Sequence, residues 1–258
     1  MAAIAIAVLQ RSLMLYGKTT KPRSTSNLSN PELIVSAASS MKNVLEEISS
    51  LYLAENPQTK LTYNFGSSGS LQRQIEQGAP VDIFISAASR EMNNLQKQSL
   101  LVAETRQDIV KNQMVLIVNS DNNEIKDIAD LAKIDGEKIA IGEPSSVPAG
   151  QYAKEILTHF NIWSQVRPQT VYAKDVRQVL NYVATDNIEA GIVYLSDTKN
   201  AKVKIAATVP EQIHSSIVYP AAVVKNSNKP AAAKDFIKFL STPKAQAVFQ
   251  QYGFTSIE

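Results

Sequence analysis

The chain has 258 residues, 44% of them hydrophobic, with 26 basic and 24 acidic side chains and a net charge of +2. So balanced a charge provides no electrostatic attraction to nucleic acid or to an anionic membrane surface. Cysteine is absent, so we expect no disulfide, thiolate metal site, cysteine nucleophile or thiol-linked lipid anchor. A histidine metal site or a Ser-His triad would have to use His159 or His214, the two histidines of the chain.

The first 32 residues carry an apolar run, Ala2 to Leu9, and then a polar stretch. The run is much shorter than the roughly 20 residues that cross a bilayer. No basic residue precedes it and its small residues form no regular cleavage pattern, so we interpret 1–32 as an imperfect signal peptide and a disordered linker. This predicts export to the periplasm. A disordered extension without a targeting role is the alternative.

From Leu33 onward, short apolar or β-branched runs alternate with segments of helical periodicity. This alternation is typical of an α/β protein whose sheets are mainly parallel and flanked by helices. We predict strands at Leu33–Ala37, Lys60–Phe65, Val81–Ala87, Met114–Val118, Lys138–Gly142, Gln169–Ala173, Ala190–Leu195, Lys202–Val209 and Ser216–Val224. Besides four helices discussed below, we predict helices at Asp127–Ala132, Ala233–Leu240 and Lys244–Tyr252.

Two of these strand-like runs, Met114–Val118 and Ser216–Val224, could carry the chain from one lobe to another and back. A double crossing predicts a discontinuous first lobe, residues 33–113 and 222–258, and a continuous second lobe, residues 114–221. Small ligands favour the cleft between two such lobes.

Four segments of helical periodicity begin in the same way, with a short side chain that often stands beside Gly or Pro. These starts lie at Ser40, Ser68, Pro148–Gly150 and Asp175. A helix N-terminus carries unpaired N–H groups and the positive end of the helix dipole. Several N-termini that converge on one cleft would therefore bind an anion without any charged side chain.

Six motifs of the chain, in this order, resemble the periplasmic molybdate-binding proteins of ABC transporters. They read VSAASSMKNVLEEI, FGSSGSLQRQIEQGAPVDIFISA, IGEPSSVPAGQYAKEIL, AKDVRQVLNYV, AGIVYLSD and FLSTPKAQAVFQQYGF. The resemblance runs from about Leu33 to the C-terminus. It implies a two-lobed periplasmic-binding-protein fold of type II with the ligand, molybdate or tungstate, in the interlobe cleft.

The resemblance also implies which residues bind the oxyanion. They are the hydroxyls of Ser40 and Ser68, the backbone amides of Ala149 and Val176, and the hydroxyl of Tyr194. Because Ser39 directly precedes Ser40, Ser39 is an additional candidate for the first hydroxyl. The resemblance further implies a monomer that uses no cofactor, contains no metal other than that of the oxyanion, and has a membrane permease as its partner.

The chemistry of these residue types agrees with a tetrahedral dianion. Its four oxygens are all acceptors, so a suitable site offers only donors, such as hydroxyls and backbone N–H groups. Hydrogen phosphate would leave its proton without an acceptor, a penalty of roughly 1 to 3 kcal/mol. Sulfate escapes that penalty and must be excluded by size.

Other functions remain open at this point. The protein could bind another tetrahedral oxyanion such as sulfate. It could be a serine hydrolase that uses Ser40 or Ser68, although no G-x-S-x-G elbow is present and neither histidine lies in a stretch that points at the cleft. It could also be the sensing domain of a transcription regulator, although the first 30 residues are too irregular for a helix-turn-helix.

Two acids near these motifs are interpreted as structural. We expect Asp82 to hydrogen-bond a neighbouring loop or helix end, and Asp175 to cap its helix. Arg177, two residues later, would either pair across the cleft or face solvent.

Overall fold

The computed structural model describes residues 32–134 and 138–257. Its strands are β1 Glu32–Ala38, β2 Lys60–Gly66, β3 Ile83–Ile85, β4 Gln107–Lys111, β5 Met114–Val118, β6 Ile139–Gly142, β7 Thr170–Ala173, β8 Ala190–Tyr194, β9 Lys204–Thr208, β10 Val218–Val223 and β11 Thr255–Ser256. Its helices are α1 Lys42–Glu55, α2 Ser68–Glu76, α3 Ser89–Lys97, α4 Pro148–His159, α5 Trp163–Val166, α6 Val176–Ala184, α7 Pro230–Leu240 and α8 Pro243–Gln251. The signal peptide predicted for residues 1–32 lies almost wholly outside the described residues.

The strands form two sheets. The first has the order β11-β4-β10-β3-β1-β2, and the second has the order β7-β6-β8-β5-β9. In the first sheet β1 pairs in parallel with β2 and β3, and in the second β6 pairs in parallel with β7 and β8. Each sheet therefore contains a parallel unit from which helices leave at one edge.

Helices flank both sheets because their apolar residues recur at helical spacing. In α1 the buried side chains include Val44, Leu45 and Ile48, and in α6 they include Val179 and Val183. Positions three and four apart lie on one face of a helix, so each helix presents a continuous apolar stripe to the core. None of the helices in the described ranges is long and apolar enough to span a bilayer.

The predicted α/β fold with helices flanking mainly parallel sheets is confirmed, because most strands of each sheet run in one direction. Each sheet also contains antiparallel strands. Strands β10 and β11 join the first sheet antiparallel, and β5 pairs antiparallel with both β8 and β9. These antiparallel strands include β5 and β10, the two that follow the chain's crossings between sheets. The chain crosses at the edge of each sheet where the parallel strands end. A strand that follows a crossing therefore starts at that edge and runs antiparallel to the parallel unit.

The predicted bounds of the two lobes stay a prediction, but the bound at residue 222 must lie earlier in the chain. Strand β10 starts at Val218 and belongs to the first sheet, so the chain returns from the second sheet between Thr208 and Val218 rather than at residue 222. Strand β4 and helix α3 were not predicted from the sequence. Strand β4 reads QDIVK and buries only its third and fourth residues, and α3 buries only Glu91, Met92 and Leu95, so neither has a strong apolar pattern.

The segment predicted as a helix at Asp127–Ala132 is a 3-10 helix, Ile128–Lys133. Asp127 caps it, and Asp130 accepts a hydrogen bond from the Asp127 backbone in return. Two acids three residues apart satisfy the free amides at the start of this short segment. The capping explains where it begins.

Candidate binding site

A small cavity lies between the two sheets, where helices begin directly after parallel strands. The chain passes from β1 into α1 through the turn Ser39–Met41, and from β2 into α2 at Ser68. In the second sheet it passes from β6 to α4 and from β7 to α6. Because the carboxyl ends of parallel strands lie at one edge of a sheet, the four helix starts converge in pairs.

All of the residues that the sequence predicted as ligands line this cavity. They are Ser39, Ser40, Ser68, Ala149, Val176 and Tyr194. The cavity volume is ≈ 10 Å³, far below the several hundred Å³ of pockets for organic ligands. The described part of its lining contains no charged side chain.

The start of α4 is held close to β6 by two glycines. A Cβ at Gly150 would stand 1.9 Å from the backbone oxygen of Gly142, so only glycine permits this approach. Pro148, at the first helical position, has no N–H, which makes Ala149 the first residue of α4 with an amide to offer. Ala149 lines the cavity at this first turn.

At the start of α6 the predicted cap is confirmed. The Asp175 side chain accepts a hydrogen bond from the Gln178 amide at 2.9 Å. The cap uses an amide of the first turn and leaves the earlier amide of Val176 available. Arg177 donates to the Asn43 side chain at 3.2 Å, so of the two interpretations offered for it, pairing across the cleft is correct.

The serine hydroxyls are partly used by the protein itself. Ser68 is fully buried, and its oxygen accepts a hydrogen bond from the Ala87 amide at 2.9 Å. Ser67 caps α2 by accepting from the Ser70 amide at 3.3 Å. The Ser40 oxygen lies 2.9 Å from the Tyr219 hydroxyl. A hydroxyl that accepts from the protein still has its proton to donate.

Tyr194 provides the least satisfied group of the cavity. The residue is 1% exposed, and within residues 32–134 and 138–257 its hydroxyl has no hydrogen-bond partner. Burial raises the pKa of this hydroxyl well above its ordinary value, so it remains a neutral donor. A buried hydroxyl without a partner destabilises a protein by about 1 to 3 kcal/mol, and a bound acceptor would remove that penalty.

One acid beside the cavity was missed by the sequence analysis. Asp197 is buried, and one of its oxygens accepts from the Tyr194 amide at 3.3 Å. The other oxygen has no partner in the described part of the chain. Burial raises the pKa of this carboxyl to about 7, while the nearby Arg177 opposes the shift. In the sequence Asp197 is one more acid in a polar turn, and no pattern predicts its burial.

Asp82 has the structural role predicted for it. One of its oxygens accepts from the Ile34 amide at 2.8 Å and the other from the Ser227 hydroxyl at 2.6 Å. These bonds tie β1 to the loop before α7, away from the cavity. Over the described ranges, no group of three or more histidines and acids could hold a metal ion.

The two sheets are joined over the cavity by direct contacts. The Gly69 amide of α2 donates to the Ser146 carbonyl, before α4, at 3.0 Å, and Arg177 of α6 reaches Asn43 of α1. This conformation encloses the cavity, since all of the predicted ligands are buried.

Comparisons with known proteins agree with this architecture. The sequence profile of the bacterial extracellular solute-binding protein family matches residues 33–255. The molybdate-binding protein ModA of Haemophilus influenzae is 38% identical over 231 residues, which cover 87% of this chain and 90% of that protein.

Two solved structures are also similar. One, assigned as the substrate-binding domain of a molybdenum ABC transporter from Clostridium difficile, has 44% identity and a TM-score of 0.69 over 88% of this chain and 99% of that one. The other, the periplasmic molybdate-binding protein of Azotobacter vinelandii, has 23% identity and a TM-score of 0.80 over 88% of this chain and 100% of that one. The predicted type II periplasmic-binding-protein fold is confirmed by this likeness. The chain therefore belongs to the family of bacterial extracellular solute-binding proteins, in the group that contains the molybdate-binding proteins of ABC transporters.

Proposed function

We propose that this protein captures molybdate between its two lobes and delivers it, without chemical change, to the permease of an ABC transporter. Tungstate has nearly the same size and charge and is expected to bind as well. The relatives named as molybdate-binding proteins support this ligand. The uncharged lining supports it independently, because a dianion that offers only acceptors is bound best by neutral donors.

The observation that carries the proposal is the Tyr194 hydroxyl. It is buried, neutral and without a hydrogen-bond partner among the described residues, and Tyr194 lines a cavity too small for an organic ligand. The proposed partners of the oxyanion are this hydroxyl, the hydroxyls of Ser40 or Ser39 and of Ser68, and the amides of Ala149 and Val176. Each helix N-terminus adds about 0.3 to 1 kcal/mol toward an anion.

The place of action and the assembly follow from the same proposal. A family of extracellular solute-binding proteins acts outside the cytoplasmic membrane, and we assign this chain to the periplasm as a monomer. The first lobe would comprise the β1–β4 region and the C-terminal segment, and the second lobe the β5–β9 region. An oxyanion bound to donors of both lobes would hold the cleft shut.

The proposal is tested by thermal unfolding in the presence of molybdate, tungstate, sulfate, phosphate and a few carboxylates. A ligand that binds only the folded state raises the midpoint by mass action. We expect micromolar molybdate and tungstate to raise it by several degrees, and the other anions to do so only at much higher concentration. A sulfate response as strong as that of molybdate would assign the protein to sulfate instead, and no response to any oxyanion would refute the proposal.

A further inference from the structure

A chain of buried hydrogen bonds lies behind Ser40, outside the lining of the cavity. The Ser40 oxygen is 2.9 Å from the Tyr219 hydroxyl, which in turn is 3.2 Å from the side-chain nitrogen of Asn112. The same nitrogen donates to the Ser196 hydroxyl at 2.8 Å. All four residues are buried. This hydrogen-bond chain therefore links the turn before α1 to the strands where the polypeptide crosses between sheets.

The orientation of the Asn112 amide is fixed by the backbone. Its side-chain oxygen accepts from the Gln113 amide at 2.9 Å. A backbone N–H can only donate, so the atom that it contacts must be the oxygen, and the atom that faces Tyr219 must be the nitrogen.

This orientation fixes which atom donates and which accepts in each bond of the hydrogen-bond chain. The Asn112 nitrogen can only donate, so the Tyr219 oxygen accepts from it. The buried Tyr219 proton also needs an acceptor, and among the described residues the Ser40 oxygen is the one within hydrogen-bond distance. Burial raises the pKa of Tyr219 well above its ordinary value, which keeps that proton in place. Ser40 is thereby made an acceptor toward the protein, and its own proton remains for the cavity.

We propose that Tyr219 and Asn112 are positioning residues that direct the Ser40 proton into the cavity and so make the site select oxyanions that carry no proton. This inference rests on the proposed function. Ser68 follows the same arrangement, since its oxygen accepts from the Ala87 amide. Because each serine proton then points at the ligand, a ligand that carries its own proton, such as hydrogen phosphate, meets a donor where it needs an acceptor.

The test is to reverse the direction of donation along the hydrogen-bond chain with the substitution Asn112→Asp. A carboxylate would keep the bond from the Gln113 amide but accept the Tyr219 proton, so that Tyr219 accepts from Ser40 and the Ser40 oxygen is free to accept from the ligand. Affinities for molybdate and inorganic phosphate are measured by calorimetry at about pH 8, where phosphate is mainly the hydrogen phosphate dianion. We expect the ratio of molybdate to phosphate affinity to fall about tenfold or more.

Comparing two dianions removes most of the effect of the added charge from that ratio. The double variant Asn112→Asp, Tyr219→Phe provides the control, because without the Tyr219 hydroxyl the reversal cannot reach Ser40. Its ratio should equal that of Tyr219→Phe alone. A ratio unchanged by Asn112→Asp, or lowered equally in both backgrounds, would overturn the inference.

If Asn112→Asp does not fold, a second comparison tests whether Tyr219 positions the Ser40 hydroxyl. Tyr219→Phe should weaken molybdate binding several-fold, because the Ser40 hydroxyl is then free to rotate. Tyr63→Phe is the matched control, since Tyr63 bonds Ser49 at 2.7 Å in the same manner away from the cavity. Equal affinity in the two variants would overturn the inference while leaving the proposed function intact. Failure of the wild-type protein to bind molybdate would instead refute the proposed function itself.

Discussion

Tyr194 allows ligand binding to be separated from folding at a single hydroxyl group. Because that hydroxyl has no partner in the described structure, Tyr194→Phe should leave the unfolding free energy of the ligand-free protein unchanged or raise it by up to about 1 kcal/mol. The same change should weaken molybdate binding about tenfold or more, since a hydrogen bond to an anion is lost. Calorimetry and denaturant unfolding measure the two effects. Equal molybdate affinity in the variant and the wild type would mean that the hydroxyl does not contact the ligand.

Asp197 should make the stability of the protein depend on pH. Burial raises its pKa from 3.8 to about 7 in the folded state, so the folded protein holds the proton more tightly than the unfolded chain. The associated stability is complete below about pH 4 and is lost as the pH rises to about 7. Asp197→Asn, which keeps an acceptor for the Tyr194 amide, should therefore be more stable than the wild type at about pH 8 and no more stable near pH 4. The unfolding free energies of both proteins are measured by denaturant unfolding at several pH values. A difference between them that stays the same at every pH would contradict this prediction.

The sequence predicted the residues at helix starts but not the residues behind them. The helix starts at Ser68, Pro148–Gly150 and Asp175 could be found because a helix start after a strand is a local pattern, and the family resemblance then indicated Ala149 and Val176 as the amide donors. Asp197 and Tyr219 could not, because their roles arise from contacts between distant segments. The bond between Ser40 and Tyr219 joins residues 179 positions apart, and no local periodicity reports such a contact. The choice between Ser39 and Ser40 stays a prediction for the same reason.

Among the elements, helix α4 depends most on close packing at its first turn. Gly150→Ala would bring a Cβ within 1.9 Å of the Gly142 carbonyl oxygen, so the start of the helix must move away from β6. We expect a loss of about 1 to 3 kcal/mol in unfolding free energy and a large loss of molybdate affinity, because the Ala149 amide moves with the helix. Denaturant unfolding and calorimetry report the two quantities.

Gly78→Ala serves as the control for Gly150→Ala. Gly78 has φ +84 and nothing within 4 Å of an added Cβ, so its substitution strains the backbone without disturbing the cavity. It should reduce stability but not affinity. If both variants bound molybdate equally, the start of α4 would not be part of the site.

At the scale of the whole molecule, the contacts that join the two sheets should contribute to affinity without touching the ligand. Asn43 of α1 accepts a hydrogen bond from Arg177 of α6 at 3.2 Å. Asn43→Ala removes this contact and leaves every proposed donor in place, so the closed form is stabilised less. A hydrogen bond of this kind contributes about 0.5 to 1.5 kcal/mol, which predicts a loss of about 2-fold to 10-fold in molybdate affinity.

The loss in Asn43→Ala should arise from faster dissociation, because opening of the cleft precedes release of the ligand. Stopped-flow measurement of the dissociation rate tests this directly. Asn93→Ala is the matched control, since Asn93 accepts from Arg106 at 2.7 Å within the region of the first sheet alone. That bond does not change when the lobes separate, so its loss should leave the dissociation rate unaltered. If the two variants released molybdate at the same rate, the bond between Asn43 and Arg177 would contribute nothing to closure.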